Sequence, residues 1–215
     1  MKRNGKINTD NIYLPRQAEI TEIKPLTGDV SLFTVKTAGD FSFKPGQFFM
    51  LSVPGFGEAP ISATSAEDEP LRFCIRDVGR VTGAIHGLKA GDAIGVRGPY
   101  GNGFPLDIAG DKDVIVIAGG LGIVPLRPVI KYLLKRTNGK LYVLYGAKAP
   151  SDVIYRDELA LWSKSAPVYL TVDCGDDGWK GCTGLVTRLI DNIKTDFSRA
   201  VSFVCGPEVM IRSSM

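Results

Sequence analysis

The stretch Asp113-Val-Ile-Val-Ile-Ala-Gly-Gly-Leu-Gly-Ile-Val-Pro125 decides how the rest of the chain is read. Residues 114–117 form a short apolar run of β-branched side chains, suited to a strand buried on both faces. A glycine turn follows at residues 119–122, and residues 126–136 have a helix-compatible pattern. Gly120-x-Gly122-x-x-Pro125 has the spacing of the dinucleotide fingerprint, with proline where a third small residue usually sits. Glycine lets the chain reverse and lets bare backbone approach a pyrophosphate. The helix start then supplies unpaired N–H groups and a positive dipole end. Proline in a first helical turn removes no intrahelical hydrogen bond. Taken alone, such a loop is also a plain strand-to-helix turn, so its surroundings carry weight.

The chain has 215 residues, room for one large domain or two ordinary ones. With 44% hydrophobic and 23% charged residues it reads as a soluble globular protein. The 26 basic and 23 acidic residues leave a net charge of +3 and no basic block, so nucleic-acid binding has no support. No apolar h-region follows Lys2, Arg3 and Lys6, and no apolar run reaches membrane-spanning length. Cys74, Cys174, Cys182 and Cys205 contain no C-x-x-C pair, which fits a reducing cytoplasm and assigns no residue to a metal.

Residues 1–16 are polar and read as an arm. Strands are expected over 18–26 and 30–37 around the turn at 27–29, then over 47–53, 60–65, 71–76 and 93–96. A small helix is expected over 81–88. This spacing predicts an antiparallel β-barrel over 17–98. Glycine and proline cluster in a linker at 99–111. From 112 to 215 strand-like runs (114–118, 141–145, 168–172, 200–204) alternate with helical ones (126–136, 151–164, 185–193), the pattern of a parallel α/β, Rossmann-like domain.

A barrel followed by a nucleotide-binding α/β domain resembles the ferredoxin–NADP reductase superfamily. The nearest resemblance is to the branch holding hydrogenase gamma subunits and the electron-transfer subunit of dihydroorotate dehydrogenase, over about residues 16–212. The superfamily's flavin motif, Arg-x-Tyr-Ser, corresponds here to Ala59-Pro60-Ile61-Ser62. The resemblance implies that Ser62 lies near the flavin N5 as a catalytic residue, while Pro60 and Ile61 border the ring. Ala59 and Ile61 depart from the motif, so the usual phosphate arginine and stacking tyrosine are missing. Gly79-Arg80-Val81-Thr82 resembles the family's Gly-x-x-Ser/Thr at the start of the small helix, which implies an FAD pyrophosphate site with the Thr82 hydroxyl as a donor. Arg76 or Arg80 is expected to replace the charge absent at Ala59.

On the nicotinamide side, the resemblance gives Gly119, Gly120, Leu121, Gly122, Ile123 and Pro125 to the pyrophosphate. Cys205, Gly206 and Pro207 border the nicotinamide ring, with Cys205 counted as catalytic. Gly146, Lys148, Arg156 and Asp173 are the remaining dinucleotide candidates. Lys148 and Arg156 would favour a 2′-phosphate, so NAD and NADP both stay open. His86 reads as a structural histidine, and no Ser/His/Asp set or paired carboxylates point to hydrolysis. In the hydrogenase-gamma branch the segment after Met210 leads to a cysteine-rich part holding a [2Fe–2S] cluster. Residues 211–215 do not provide one, so a C-terminally truncated chain without a cluster is expected.

Two functions from different classes follow. One is a flavin-dependent electron-transfer subunit that takes hydride from NAD(P)H into FAD and hands single electrons to a redox partner, an iron–sulfur or hydrogenase-type subunit, in a hetero-oligomer. The other is a non-catalytic nucleotide-binding subunit of a larger redox complex.

Overall fold

The computed structural model describes residues 13–214. The first twelve residues of the expected arm lie outside the described residues. The first half is a six-stranded antiparallel sheet built from β1 (Arg16–Pro25), β2 (Val30–Thr37), β3 (Phe48–Val53), β4 (Gly57–Ser62), β5 (Leu71–Arg76) and β6 (Ala93–Tyr100). Its order is β4-β3-β6-β1-β2-β5, and an isolated bridge between Ala63 and Phe73 brings the two ends together. Side chains alternate as period-2 strands require: Phe49, Leu51 and Val53 of β3 point inward and are buried. Phe33, Phe49 and Phe73 fill the centre, with Phe41 and Phe43 edge-on to Phe49. Helix α1 (Arg80–His86) closes the barrel by burying Ile85 in its core, with Val81 and Ala84 packed there beside Ile61. His86 places Nε2 within 3.0 Å of the Ile75 carbonyl and its ring edge on Phe33, a structural role.

The second half is a parallel sheet of β7 (Val114–Gly119), β8 (Leu141–Ala147), β9 (Val168–Val172), the two-residue β10 (Cys182–Thr183) and β11 (Val201–Cys205). The order is β10-β9-β8-β7-β11. Every residue of β7 is buried, as a central parallel strand covered on both faces should be. Val114, Val116 and Ala118 face α2 (Ile123–Arg136), while Ile115 and Ile117 face a 3₁₀ segment over Val186–Asn192. α3 (Arg156–Trp162) packs on the α2 face through Leu159 and Trp162, and α4 (Glu208–Ser213) reaches the opposite face through Met210.

Several elements differ from the sequence expectation: β4 lies over Gly57–Ser62 rather than 60–65, and the short β10 was not expected. The helix expected over 151–164 is a 3₁₀ turn, an extended Val153 and then the short α3, because Tyr155 takes a left-handed conformation with φ 56°. The helix expected over 185–193 is 3₁₀, in a short run rich in β-branched Val186, Thr187 and Ile190. Strand β6 runs on to Tyr100, which pairs with Phe48. The chain just beyond it also packs on both halves. Gln47 donates to the Gly101 carbonyl at 2.6 Å, Phe104 N donates to the Pro45 carbonyl at 2.8 Å, and the Phe104 ring meets Phe203 edge-on.

The halves share a core. Val30 and Cys74 of the barrel are buried in the cluster built on β7, β8 and α2, with Leu26 and Leu32 packed against it. Burial pushes the Cys74 thiol up to about 12, so it stays neutral there.

Candidate functional site: a cleft between the barrel and the parallel sheet

In an open parallel sheet a ligand settles beyond the carboxyl ends of strands, where the strand order reverses. Here that point lies between β7 and its neighbours. The chain leaves β7 toward β8 on one side, and β11 returns on the other. A cleft of about 810 Å³ opens at this place. Its floor is Gly119, Gly120, Leu121, Gly122 and Pro125 from the β7–α2 turn, with Cys205, Gly206 and Pro207 after β11. Gly146 and Lys148 after β8 and Asp173 after β9 form one wall. The opposite wall is the barrel, through Ser62 at the end of β4 and Arg76 at the end of β5. Ser62 and Arg76 of the barrel therefore meet most of the dinucleotide candidates in one cavity, while Pro60, Ile61, the residues 79–82, Ile123 and Arg156 do not line it.

The two fingerprint glycines do different things. Gly120 has φ +54°, and a Cβ there would meet nothing within 4 Å, so its backbone faces open space. Gly122 instead lies against the end of β11: a Cβ there would overlap the Cys205 carbonyl and sit 2.9 Å from the Gly206 nitrogen. Of the two, only Gly120 leaves bare backbone open to the cleft. Gly122 lets α2 and β11 cross. α2 then begins at Ile123 with Pro125 in its first turn, as a helix start with unpaired N–H groups requires. Ile123 itself is fully buried in the core and presents no side chain to the cleft.

Charge in the cleft is mixed. Lys148, Asp152 and Asp173 all line the cleft, while Arg76 pairs with Asp29 at 3.1 Å. Arg156 does not join them: its guanidinium turns back onto the Pro150 carbonyl on the surface. Cys205 is partly buried, and burial raises its pKa, so it presents a neutral thiol. Asp29, Leu185, Val186, Thr187, Val209 and Met210 also line the cleft and were not candidates from sequence. Asp29 ends a turn signal; the others stand in segments without a motif, and only the fold brings them in.

The barrel motifs lie along the adjoining edge. Register pairs Ile61 with Phe49, so Ile61 leans on the barrel core and keeps part of its side chain exposed. Ala59 shares that face, and Pro60 points to the other side of β4. At the start of α1, Thr82 is used locally. Its hydroxyl accepts from Gly79 N at 3.0 Å and Val78 N at 3.1 Å and donates to the Gly79 carbonyl at 3.1 Å. The hydroxyl donor expected for a pyrophosphate is thus already spent inside the helix cap. The N–H groups of Arg80 and Val81 still stand free of intrahelical partners. Arg80 reaches away to the Gly55 carbonyl at 2.9 Å, over the Phe56 ring.

Residues 17–104 match the oxidoreductase FAD-binding domain family, and residues 116–215 match the oxidoreductase NAD-binding domain family. The chain is 38% identical over 224 residues to the sulfhydrogenase 2 subunit gamma of Pyrococcus furiosus, covering 94% of this chain and 77% of that one. The chain belongs to the FAD- and NAD-binding oxidoreductases of the ferredoxin–NADP reductase superfamily. This oxidoreductase is also 34% identical over 198 residues to a probable dihydroorotate dehydrogenase B (NAD(+)) electron transfer subunit of Methanocaldococcus jannaschii, covering 92% of this chain and 71% of that one. Its fold matches the ferredoxin reductase of carbazole 1,9a-dioxygenase with a TM-score of 0.80 at 21% identity, over 93% of this chain. The chain spans 63% of that reductase's length. The oxidoreductase's open Gly120 backbone and 14-residue α2 fit a dinucleotide pyrophosphate. The Ser62 hydroxyl, the Arg76 guanidinium and the free N–H groups opening α1 are groups of the kind FAD requires. Among the described residues, no three His, Cys, Asp or Glu side chains gather as a metal site, and no helix is long and apolar enough to cross a membrane.

Proposed function

We propose that this oxidoreductase is the electron-transfer subunit of a larger redox complex, taking hydride from NADH into FAD and passing electrons on singly to a partner. The observation that carries the reading is the single cleft in which Ser62 of the flavin strand faces Gly120 and Cys205 of the dinucleotide side. Flavin, when bound, converts a two-electron donor into a one-electron supply. The chain's own residues do the positioning. Gly120 and the start of α2 hold the dinucleotide pyrophosphate. Gly146, Lys148 and Asp173 border its adenosine half, and Gly206 and Pro207 its nicotinamide half. Cys205 packs beside the ring as a neutral thiol, and Ser62 supplies a hydroxyl at the flavin. Arg76 and the N–H groups of Arg80 and Val81 meet the FAD phosphates.

Asp152 and Asp173 set two carboxylates against the one ammonium of Lys148, and Arg156 is turned away. That balance disfavours a 2′-phosphate and supports NADH over NADPH. The relatives named as subunits support a hetero-oligomer, and free exposed Cys174 and Cys182 support a reducing cytoplasm. The test is anaerobic mixing of the FAD-loaded chain with NADH or NADPH, followed by flavin absorbance. Rapid bleaching by NADH, slower by NADPH, is expected. A chain that takes up no FAD, or is not reduced by either nucleotide, would be the non-catalytic nucleotide-binding subunit instead.

A further inference from the structure

One guanidinium joins the flavin strand to the dinucleotide helix. Arg127 lies on α2, one turn after its first residue, and is 4% exposed. Its Nη1 donates to the Thr64 carbonyl at 2.6 Å and to one Glu69 oxygen at 2.6 Å. Nη2 donates to the other Glu69 oxygen at 2.9 Å, and Nε reaches the Glu158 carboxylate at 2.8 and 2.9 Å. Lys131, the next turn of α2, meets Glu69 at 2.5 Å. The Tyr155 ring lies 5.6 Å from the guanidinium, and its hydroxyl is 2.7 Å from the buried Thr64 hydroxyl.

The chain positions of these groups matter. Thr64 follows Ser62 across Ala63, so the bond to its carbonyl fixes the end of the flavin strand. Arg127 rides on the helix that the Gly120–Gly122 turn opens, so the same group fixes the dinucleotide loop. Glue between the halves is already present in Val30, Leu26, Leu32 and Cys74. A buried ion pair adds little net stability over apolar packing of the same shape. What a forked, bidentate guanidinium adds is a fixed distance and angle.

We infer that Arg127 is a positioning residue that sets the gap between the two cofactors. This rests on the function proposed above. Hydride transfer breaks the nicotinamide C4–H bond as the flavin N5–H bond forms. Two electrons and one proton move together, leaving NAD⁺ and reduced flavin, so the reacting atoms must stand near contact. A displacement of about 1 Å costs on the order of a hundredfold in rate.

The test is stopped-flow reduction of the FAD-loaded full chain by NADH, comparing wild type with Arg127→Met, Arg127→Lys and Tyr155→Phe. FAD and NAD⁺ affinities are expected to stay within about threefold, while flavin reduction in Arg127→Met falls about ten- to a hundredfold. The long-wavelength charge-transfer absorbance that precedes reduction should weaken in parallel, and Arg127→Lys should recover part of both. Tyr155→Phe keeps the guanidinium and loses only the hydroxyl, with its contacts to Thr64 and Cys74; a smaller slowing is expected, which carries the test if Arg127→Met does not fold. Wild-type rates and an unchanged charge-transfer band in the folded variants overturn the inference. So does loss of cofactor binding or of the fold in both Arg127 variants, which marks a purely structural role. A wild-type chain that NADH does not reduce overturns the proposed function, and this inference with it.

Discussion

Gly122 and Cys205 touch backbone to backbone: the turn that opens α2 crosses the end of β11 with no room for a side chain between them. Gly122→Ala should therefore damage the fold, by about 1–3 kcal/mol as overpacking does. Gly120→Ala meets no neighbour and should cost only the roughly 1–2 kcal/mol of a left-handed residue. It should nevertheless weaken NADH binding at least about tenfold, because its methyl group enters the space left for phosphate. Thermal melts and NADH titrations of the two variants separate the roles. A Gly122→Ala chain that melts at the wild-type temperature would show that the crossing tolerates a side chain.

Arg76 and Arg80 are both near the expected FAD phosphates in sequence, but only Arg76 lines the cleft. Loss of one charge-assisted contact is worth about 1.5–3 kcal/mol, roughly ten- to a hundredfold in affinity. Arg76→Ala should lower FAD affinity by that order. Arg80→Ala should change it little, since that side chain is held by the Gly55 carbonyl and Phe56. Flavin fluorescence titration decides. The reverse order would mean that Arg80, and not Arg76, supplies the phosphate charge.

The four thiols should react in an order set by position. Cys174 and Cys182 are exposed and should be alkylated first by iodoacetamide. Cys205 has its pKa raised by burial, so less of it is thiolate at a given pH and it should react slowly, more slowly still with NAD⁺ bound. Cys74 should stay unlabelled until the chain unfolds. Peptide mapping by mass spectrometry reads the order. Labelling of Cys205 that NAD⁺ leaves unchanged would remove it from the nicotinamide side.

Glu69 should make the fold acid-sensitive. Burial opposes its charge, but hydrogen bonds from Arg127, the Ala66 N–H and Lys131 overcome that and hold its pKa well below the ordinary 4.5. A carboxylate depressed in the folded state contributes stability that is fully present above its unfolded value and is lost as pH falls toward the folded one. Wild type should exceed Glu69→Gln in denaturant midpoint at pH 7, and the difference should shrink steadily below about pH 4.5. A gap that stays constant down to pH 3 would mean that Glu69 titrates normally.

The run 113–125 was legible in sequence because a buried parallel strand, a glycine turn and a helix each leave a local mark. The barrel strands were legible for the same reason, through alternation and turn residues. Arg127 left no such mark. It sits among Ile123, Leu126, Val129, Ile130 and Leu133 on the buried side of α2, and its partners Thr64, Glu69 and Glu158 are distant in sequence. A charge inside an apolar helical stripe was the one available sign. Thr82 could not be read either, because a hydroxyl near a helix start serves the cap or a ligand equally well. Tyr155 broke an otherwise continuous helical pattern because its phenol is drawn to Thr64, a demand from the other half of the molecule.

That demand, with Val30 and Cys74 set among the side chains of the parallel sheet, bears on how such chains can be recombined. The halves divide cleanly along the sequence but not through the interior. A second half grafted onto an unrelated barrel would carry a hole where Val30 and Cys74 belong, and an arginine with half its acceptors gone. Chimeras joined after Tyr100 should therefore express poorly unless residues 26–32, 64–69 and 74 travel with the parallel sheet they complete.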